Sequence, residues 1–179
     1  MTLRNLSRLE VMKSFAALLL VAMVACAPSA GRLDTTELSN VATIRSFQPD
    51  KGEMAAYTIG QQVSFSYTLG RTGFITLIAF DDNGRIDDLE RSVATKAGAN
   101  TLPRASDVSS TGGKAAYIVD PPVGLQRAFL IFTDRAAPAG TRISGTFAAG
   151  ELPKIIKTYI SLTGSSVYDV AETRFEAVK

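Results

Sequence analysis

The chain contains no histidine and no tryptophan, and only one cysteine, Cys26, in 179 residues. Without imidazole there is no Ser-His or Cys-His nucleophilic pair, no imidazole acid–base group and no His-ligated zinc or copper. A Ser-Lys system is the remaining option, yet no S-x-x-K stands beyond residue 25. Without tryptophan, the best stacking surface for a sugar ring is missing. A single thiol forms no intrachain disulfide, so packing must stabilise the domain in any oxidising compartment. Long apolar runs are absent too: Phe15–Ala25 falls short of the roughly 20 residues of a membrane-spanning helix. These absences point away from an enzyme. No catalytic residue is assigned, an uncharacterised hydrolase is the enzymatic alternative, and no cofactor is expected.

That short apolar run has a meaning of its own. Met12-Lys13-Ser14 supplies a basic start, Phe15–Ala25 an apolar core, and small residues lead to Cys26, as in a secretory signal. Met23-Val24-Ala25-Cys26 resembles the bacterial lipobox, with Met in place of the commoner Leu. The resemblance implies cleavage before Cys26, a diacylglyceryl thioether on its sulfur and an acyl chain such as palmitate on its amine. Several acyl chains, at about 0.8 kcal/mol per methylene, would hold the protein to a bilayer. The signal is complete from Met12, so the first 11 residues are read as an early start. Removing Met1–Ala25 takes Arg4, Arg8, Lys13 and Glu10 from 19 basic and 17 acidic residues and leaves 16 of each. The basic balance therefore belongs to the export segment and carries no argument for nucleic acid.

The mature chain reads as a tether over residues 26–40 followed by one domain over residues 41–179. In the domain, a strand is expected over Gln62–Leu69, where Val63-Ser64-Phe65-Ser66-Tyr67-Thr68-Leu69 alternates apolar and hydroxyl residues, the pattern of a half-buried strand. Phe74–Phe80 is apolar on both faces and is placed at the centre of a sheet. Asp81-Asp82-Asn83-Gly84 is a hairpin turn leading to a strand over Arg85–Glu90. Further strands are expected at Val41–Phe47, Ala99–Leu102, Ala115–Val119, Leu125–Thr133, Arg142–Phe147 and Val170–Val178, the last with Glu172, Arg174 and Glu176 on its polar face. Leu152, Ile155, Ile156, Tyr159 and Ile160 form the stripe of an amphipathic helix, stopped at Gly164. The fold class is mainly β, an Ig-like antiparallel β-sandwich with one amphipathic helix near the C-terminus.

The acidic turn also invites comparison with a calcium loop. Asp81, Asn83 and Glu90 take ligand positions when Gly84 is aligned on the invariant glycine of an EF-hand. The first ligand position then falls on Ala79, and strands flank the turn instead of helices, so a hairpin with solvated acids is the preferred reading. The aromatic residues fall mostly at alternating strand positions and are assigned to the core. Tyr57 and Tyr117 lie beside loops and have a route to solvent.

The order of these signals is similar to one bacterial family. Tyr57-Thr58-Ile59-Gly60 with Val63 and Phe65, Gly73-Phe74, Asp81–Ile86, Leu102-Pro103 and Pro122-Val123-Gly124-Leu125 follow one another as in the domain of unknown function 4384. The full layout is most similar to Deinococcus-type versions, although Leu89-Glu90-Arg91-Ser92 replaces the usual Phe-Pro-Asn segment. The resemblance implies a β-sandwich of exported proteins and lipoproteins and transfers no site residues. The expected function is that of a lipid-anchored protein of the cell envelope. It would sit on the outer membrane or the outer face of the cytoplasmic membrane and present its sandwich to an envelope protein or matrix partner. The alternative is a small-ligand or peptide-binding module using the loops Gln48–Ala56 and Arg104–Lys114.

Overall fold

The computed structural model describes residues 31–109 and 112–179. The leader and Cys26 lie outside the described residues. A 3-10 turn at Thr36–Leu38 opens the folded unit. The strands that follow are β1 (Ile44–Pro49), β2 (Ala56–Thr58), β3 (Gln62–Val63), β4 (Phe65–Leu69), β5 (Gly73–Phe80), β6 (Arg85–Thr95) and β7 (Gly98–Leu102). The C-terminal half adds β8 (Tyr117–Ile118), β9 (Gly124–Thr133), β10 (Gly145–Thr146), helix α1 (Leu152–Thr163) and β11 (Tyr168–Val178).

These elements build a β-sandwich with the helix laid on one outer face. The smaller sheet runs β1-β4-β7 and is accompanied by the ribbon β3-β8. The larger runs β10-β6-β5-β9-β11-β2, antiparallel except for the pairing of β2 with β11. Strand alternation sends one set of side chains to each face of the larger sheet. Ile75 and Leu77 of β5, with Ala128, Leu130 and Phe132 of β9, pack into the core between the sheets. Ile78 and Phe80, with Phe129 and Ile131, pack into a second core under Leu152, Ile156, Tyr159 and Ile160 of α1. The doubly apolar sequence of β5 is the direct consequence of these two cores.

The hairpin between β5 and β6 forms at Asp81–Gly84 as the sequence predicts. Gly84 has a φ of 80°, and a side chain there would also run into the Phe147 carbonyl. Helix α1 carries Pro153 in its first turn and ends at Gly164, whose φ of 62° is left-handed.

Four expected element bounds need correction. The tether does not reach Asn40: the folded unit begins at Arg32. Leu38 is buried and packs with Leu33 against the second core, while Val170 N donates to Ser39 Oγ and Tyr168 N to Asn40 Oδ1. Two apolar residues in a polar stretch were too few to show periodicity, yet enough to dock it. The strand over Gln62–Leu69 breaks at Ser64, where Asp50 and Ser64 bond through their backbones and Ser64 N also donates to Asp50 Oδ1. Strand β6 runs on past Glu90 to Thr95 by way of a bulge at Ser92, a non-glycine residue with a φ of 47°. Of Arg142–Phe147 only Gly145–Thr146 pairs.

The polar face expected for the last strand is wet only at Glu176; Glu172 is buried and Arg174 half-buried. Glu172 accepts bonds from Arg127 Nε (2.9 Å), Arg174 Nε (2.7 Å) and Leu33 N (2.7 Å). The Arg127 guanidinium also lies 5.0 Å from the Phe129 ring centre and 5.7 Å from that of Phe80. Burial alone would raise the Glu172 pKa, but the hydrogen bonds and charge of Arg127 and Arg174 hold it below its ordinary value. Such a group stabilises the fold above its ordinary pKa of 4.5 and loses that contribution as pH falls. Glu172→Ala strands the buried Arg127 guanidinium and the half-buried Arg174 and is expected to cost about 3–5 kcal/mol in urea denaturation at neutral pH. A loss below 1 kcal/mol, on the order of an exposed pair, would contradict the buried cluster.

Candidate recognition site at the loop end of the sandwich

The residues singled out as calcium candidates do not converge. Asp81 Oδ1 accepts from Asn83 N and Arg85 N, both at 2.9 Å, which caps the turn. Asp82 Oδ2 accepts from Leu125 N at 2.9 Å. Asn83 is exposed at the tip, while Glu90 lies well down β6, opposite Leu77. The acids of the turn serve backbone N–H groups. Among the described residues, no group of three or more His, Cys, Asp or Glu side chains is placed to hold a metal ion.

Glu90 instead meets Tyr117. Tyr117 Oη donates to Glu90 Oε1 at 2.6 Å between the two sheets. Burial, reinforced by the Glu90 carboxylate, pushes the Tyr117 pKa well above the ordinary tyrosine value. Tyr57 is also withdrawn from solvent. Its ring packs edge-on to Phe175 with centroids 5.3 Å apart, its hydroxyl donates to Asp50 Oδ1 at 3.0 Å, and burial pushes its pKa up to about 12. Neither tyrosine is a free surface aromatic. Both tie loops to the core.

The loops Gln48–Ala56 and Arg104–Lys114 do meet at one end. Asp50 from the first and Lys114 from the second line a cleft of about 470 Å³, with Ser64, Thr101 and Pro103 between them. The longer loop is closed by Arg104 N donating to Asp107 Oδ2 at 2.7 Å and by Ala115 N donating to the Asp107 carbonyl at 3.0 Å. On the other side of the ribbon, a second cleft of about 440 Å³ is lined by Val63, Phe65, Leu89, Tyr117 and Phe175, with Asp87 and Asp120 at its polar side. Strand β8 stands between the clefts. It pairs with β3 along one edge, and among the described residues no strand pairs with the other. Ile118 is 46% exposed there.

A third feature escaped the sequence reading. Asp88 on β6 lies opposite Ile78, on the helix side of the sheet. Its side chain is 7% exposed, and Arg91 Nε lies 3.1 Å from Oδ2, yet neither oxygen accepts a hydrogen bond in good geometry. Burial raises its pKa to about 6, against the opposing pull of Arg91, Arg142 and the Ile143 amide. Beside it runs a chain of polar contacts: Ala137 N donates to Ser92 Oγ (2.8 Å), Ser92 N to Thr76 Oγ1 (3.0 Å), and Thr76 Oγ1 shares a hydrogen bond of 2.6 Å with Tyr159 Oη. In sequence, Asp88 looked like one more solvated acid after the turn; its place opposite an apolar residue was the available signal.

Two outcomes follow from these geometries. Tyr117→Phe leaves a partly buried carboxylate without its donor and is expected to lower stability by about 1–3 kcal/mol, read by chemical denaturation. No loss would mean that the Tyr117–Glu90 bond is not formed in solution. For Asp88 the raised pKa favours the folded state only while the proton is held. That contribution is complete below the ordinary value of 3.8 and is lost as pH rises through about 6. Asp88→Asn is therefore expected to raise stability on the order of 1–2 kcal/mol at pH near 7.5 and to have little effect near pH 4, in thermal melts at both pH values. Equal melting shifts at the two pH values would contradict the buried, charge-costly carboxylate. Comparison of the chain with family models, curated proteins and solved structures finds no match in any of the three.

Proposed function

We propose that this protein is a lipid-anchored component of a bacterial cell envelope that recognises an extended segment of another envelope protein at the loop end of its sandwich. The observation that carries the recognition half is strand β8. Its free edge and exposed Ile118 stand between clefts of about 440 and 470 Å³. A free edge offers backbone donors and acceptors to an added strand, and flanking clefts accept its alternate side chains. Of the other large exposed apolar residues, Met54 and Val108 lie in the two loops at this same end, while Val41, Val123 and Leu162 lie on separate segments, which favours this end over a broad flat interface.

The anchoring half rests on the lipobox-like Met23-Val24-Ala25-Cys26. Among the described residues no helix is long and apolar enough to cross a membrane. Because the folded unit begins at Arg32, Cys26–Gly31 gives at most about 20 Å of extended chain between the acylated residue and the domain. An anchor this short would keep the recognition end within reach of partners held in or near the same membrane. The order of motifs shared with the domain of unknown function 4384 supports an exported sandwich module and adds no chemistry.

A photo-reactive residue placed at Ile118 is expected to cross-link to an envelope protein in intact cells, while one at Leu162 on α1 is not. Cys26→Ser is expected to move the protein from the membrane fraction to the soluble fraction and to weaken the Ile118 cross-link. Equal cross-linking from both positions would refute the recognition end. Retention of the Cys26→Ser protein with the membranes would refute the anchor.

A further inference from the structure

The cleft of about 440 Å³ beside β8 is apolar within and acidic toward solvent. Val63, Phe65 and Phe175 are buried and form its floor, whereas the Asp87 side chain is 46% exposed and Asp120 is exposed. Its room comes from small residues. Ala79 follows Ile75 and Leu77 on the inner face of β5, and with Ala116 it leaves space that a larger side chain would fill. The backbone beside the cleft is ready to pair. Val119 N donates to Gln61 O at 2.9 Å, so the alternate residue, Ile118, turns its own N–H and C=O to the free edge.

The charges around the cleft do not balance. Asp81, Asp87 and Asp120 line it against a single lining cation, Arg85. Arg85 donates from both Nε (2.9 Å) and Nη2 to Asp87 Oδ2, which leaves Oδ1 to accept from another donor. Asp87 first, then Asp81 and Asp120, hold the Arg85 pKa above its ordinary value, so all three carboxylates act on this one place. Among the described residues Asp120 pairs with no Lys or Arg. Across the ribbon, the other cleft sets Lys114 against Asp50 and has no such excess.

An acidic side chain entering the first cleft would meet like charges. A wholly aliphatic one would strip water from Asp87 and Asp120 and give them no donor. A basic one lays its methylenes along Val63, Leu89 and Phe175 and carries its charge out to the two carboxylates. We propose that the strand added at β8 places a lysine or arginine side chain in this cleft, so that the partner segment is basic as well as extended. The assignment rests on the strand-addition reading of β8 and names which segments that edge accepts.

The test is an amide-shift titration of the full-length chain in detergent with three peptides: acetyl-Thr-Val-Lys-Val-Thr-amide and its counterparts with norleucine or glutamate in place of the lysine. Each is taken to about 5 mM, ample for a submillimolar affinity. The lysine peptide is expected to shift the Ile118 and Asp120 amides saturably, and to bind about tenfold or more tightly than the glutamate peptide, with norleucine between them. Asp120→Lys changes an exposed residue without an ion pair, so the fold is kept, and it is expected to reverse the order of the lysine and glutamate peptides. Glu37→Lys, a charge change of the same size beside α1, is expected to leave the order as it was. Equal binding of all three peptides at Ile118 would overturn the basic preference and leave strand addition standing. An unchanged order in Asp120→Lys would overturn it in the same way. No shift of the β8 amides with any peptide would overturn strand addition at β8 and this assignment with it.

Discussion

The larger sheet is covered on both faces, and most of what is distinctive in this molecule follows from that constraint. A strand with one wet face has somewhere to put a charge. Strands β5, β9 and β11 do not, because the smaller sheet lies on one side and α1 with the Thr36–Leu38 turn on the other. A polar group that enters there is costly unless it brings its partner along. Thr76 does so with Tyr159 and Ser92, and Arg127 and Arg174 do so by sharing Glu172. The same cluster gathers the beginning of the folded unit, since Glu172 accepts from Leu33 N and its carbonyl from Arg32 Nη2. Where the chain enters the domain is thus decided by a charge inside the sheet.

Covering both faces also concentrates openness at the sheet margins. Strand β6 outruns its neighbour β10, and the short β8 has a partner on one side only. Three clefts lie at those places: two beside the β3-β8 ribbon and one beside the Ser92 bulge. A rigid interior with loosely paired margins suits a module that must hold its shape and still meet a partner.

Much of the fold was legible in sequence because its signals were local. The run Phe74–Phe80, apolar but for Thr76, the Asn83-Gly84 turn and the stripe from Leu152 to Ile160 each declare themselves within a few residues. What was not legible depended on distant partners. Leu33 and Leu38 look like isolated apolar residues in a polar stretch until β11 and α1 are packed against them. Glu172 and Arg174 have the alternation of a solvated face, and only the register of β11 on β9, with Arg174 opposite Arg127, shows that the face is covered. The acidic stretch Asp81–Glu90 was the hardest case. One composition supplies a turn cap at Asp81, a loop tie at Asp82, a buried carboxylate at Asp88 and a tyrosine partner at Glu90. Spacing alone cannot separate these four tasks, because the bulge at Ser92 and the arrival of Tyr117 and Leu125 from elsewhere in the chain set them.

Native-state hydrogen exchange on the full-length chain reads directly whether a rigid, doubly covered sheet is bordered by loosely paired margins. Amides of residues 75–80 and 128–132 are expected to exchange only through global unfolding, whereas those of residues 115–119 and 137–142 exchange through local opening, orders of magnitude faster. Equal protection of residues 115–119 and of β5 would contradict the account.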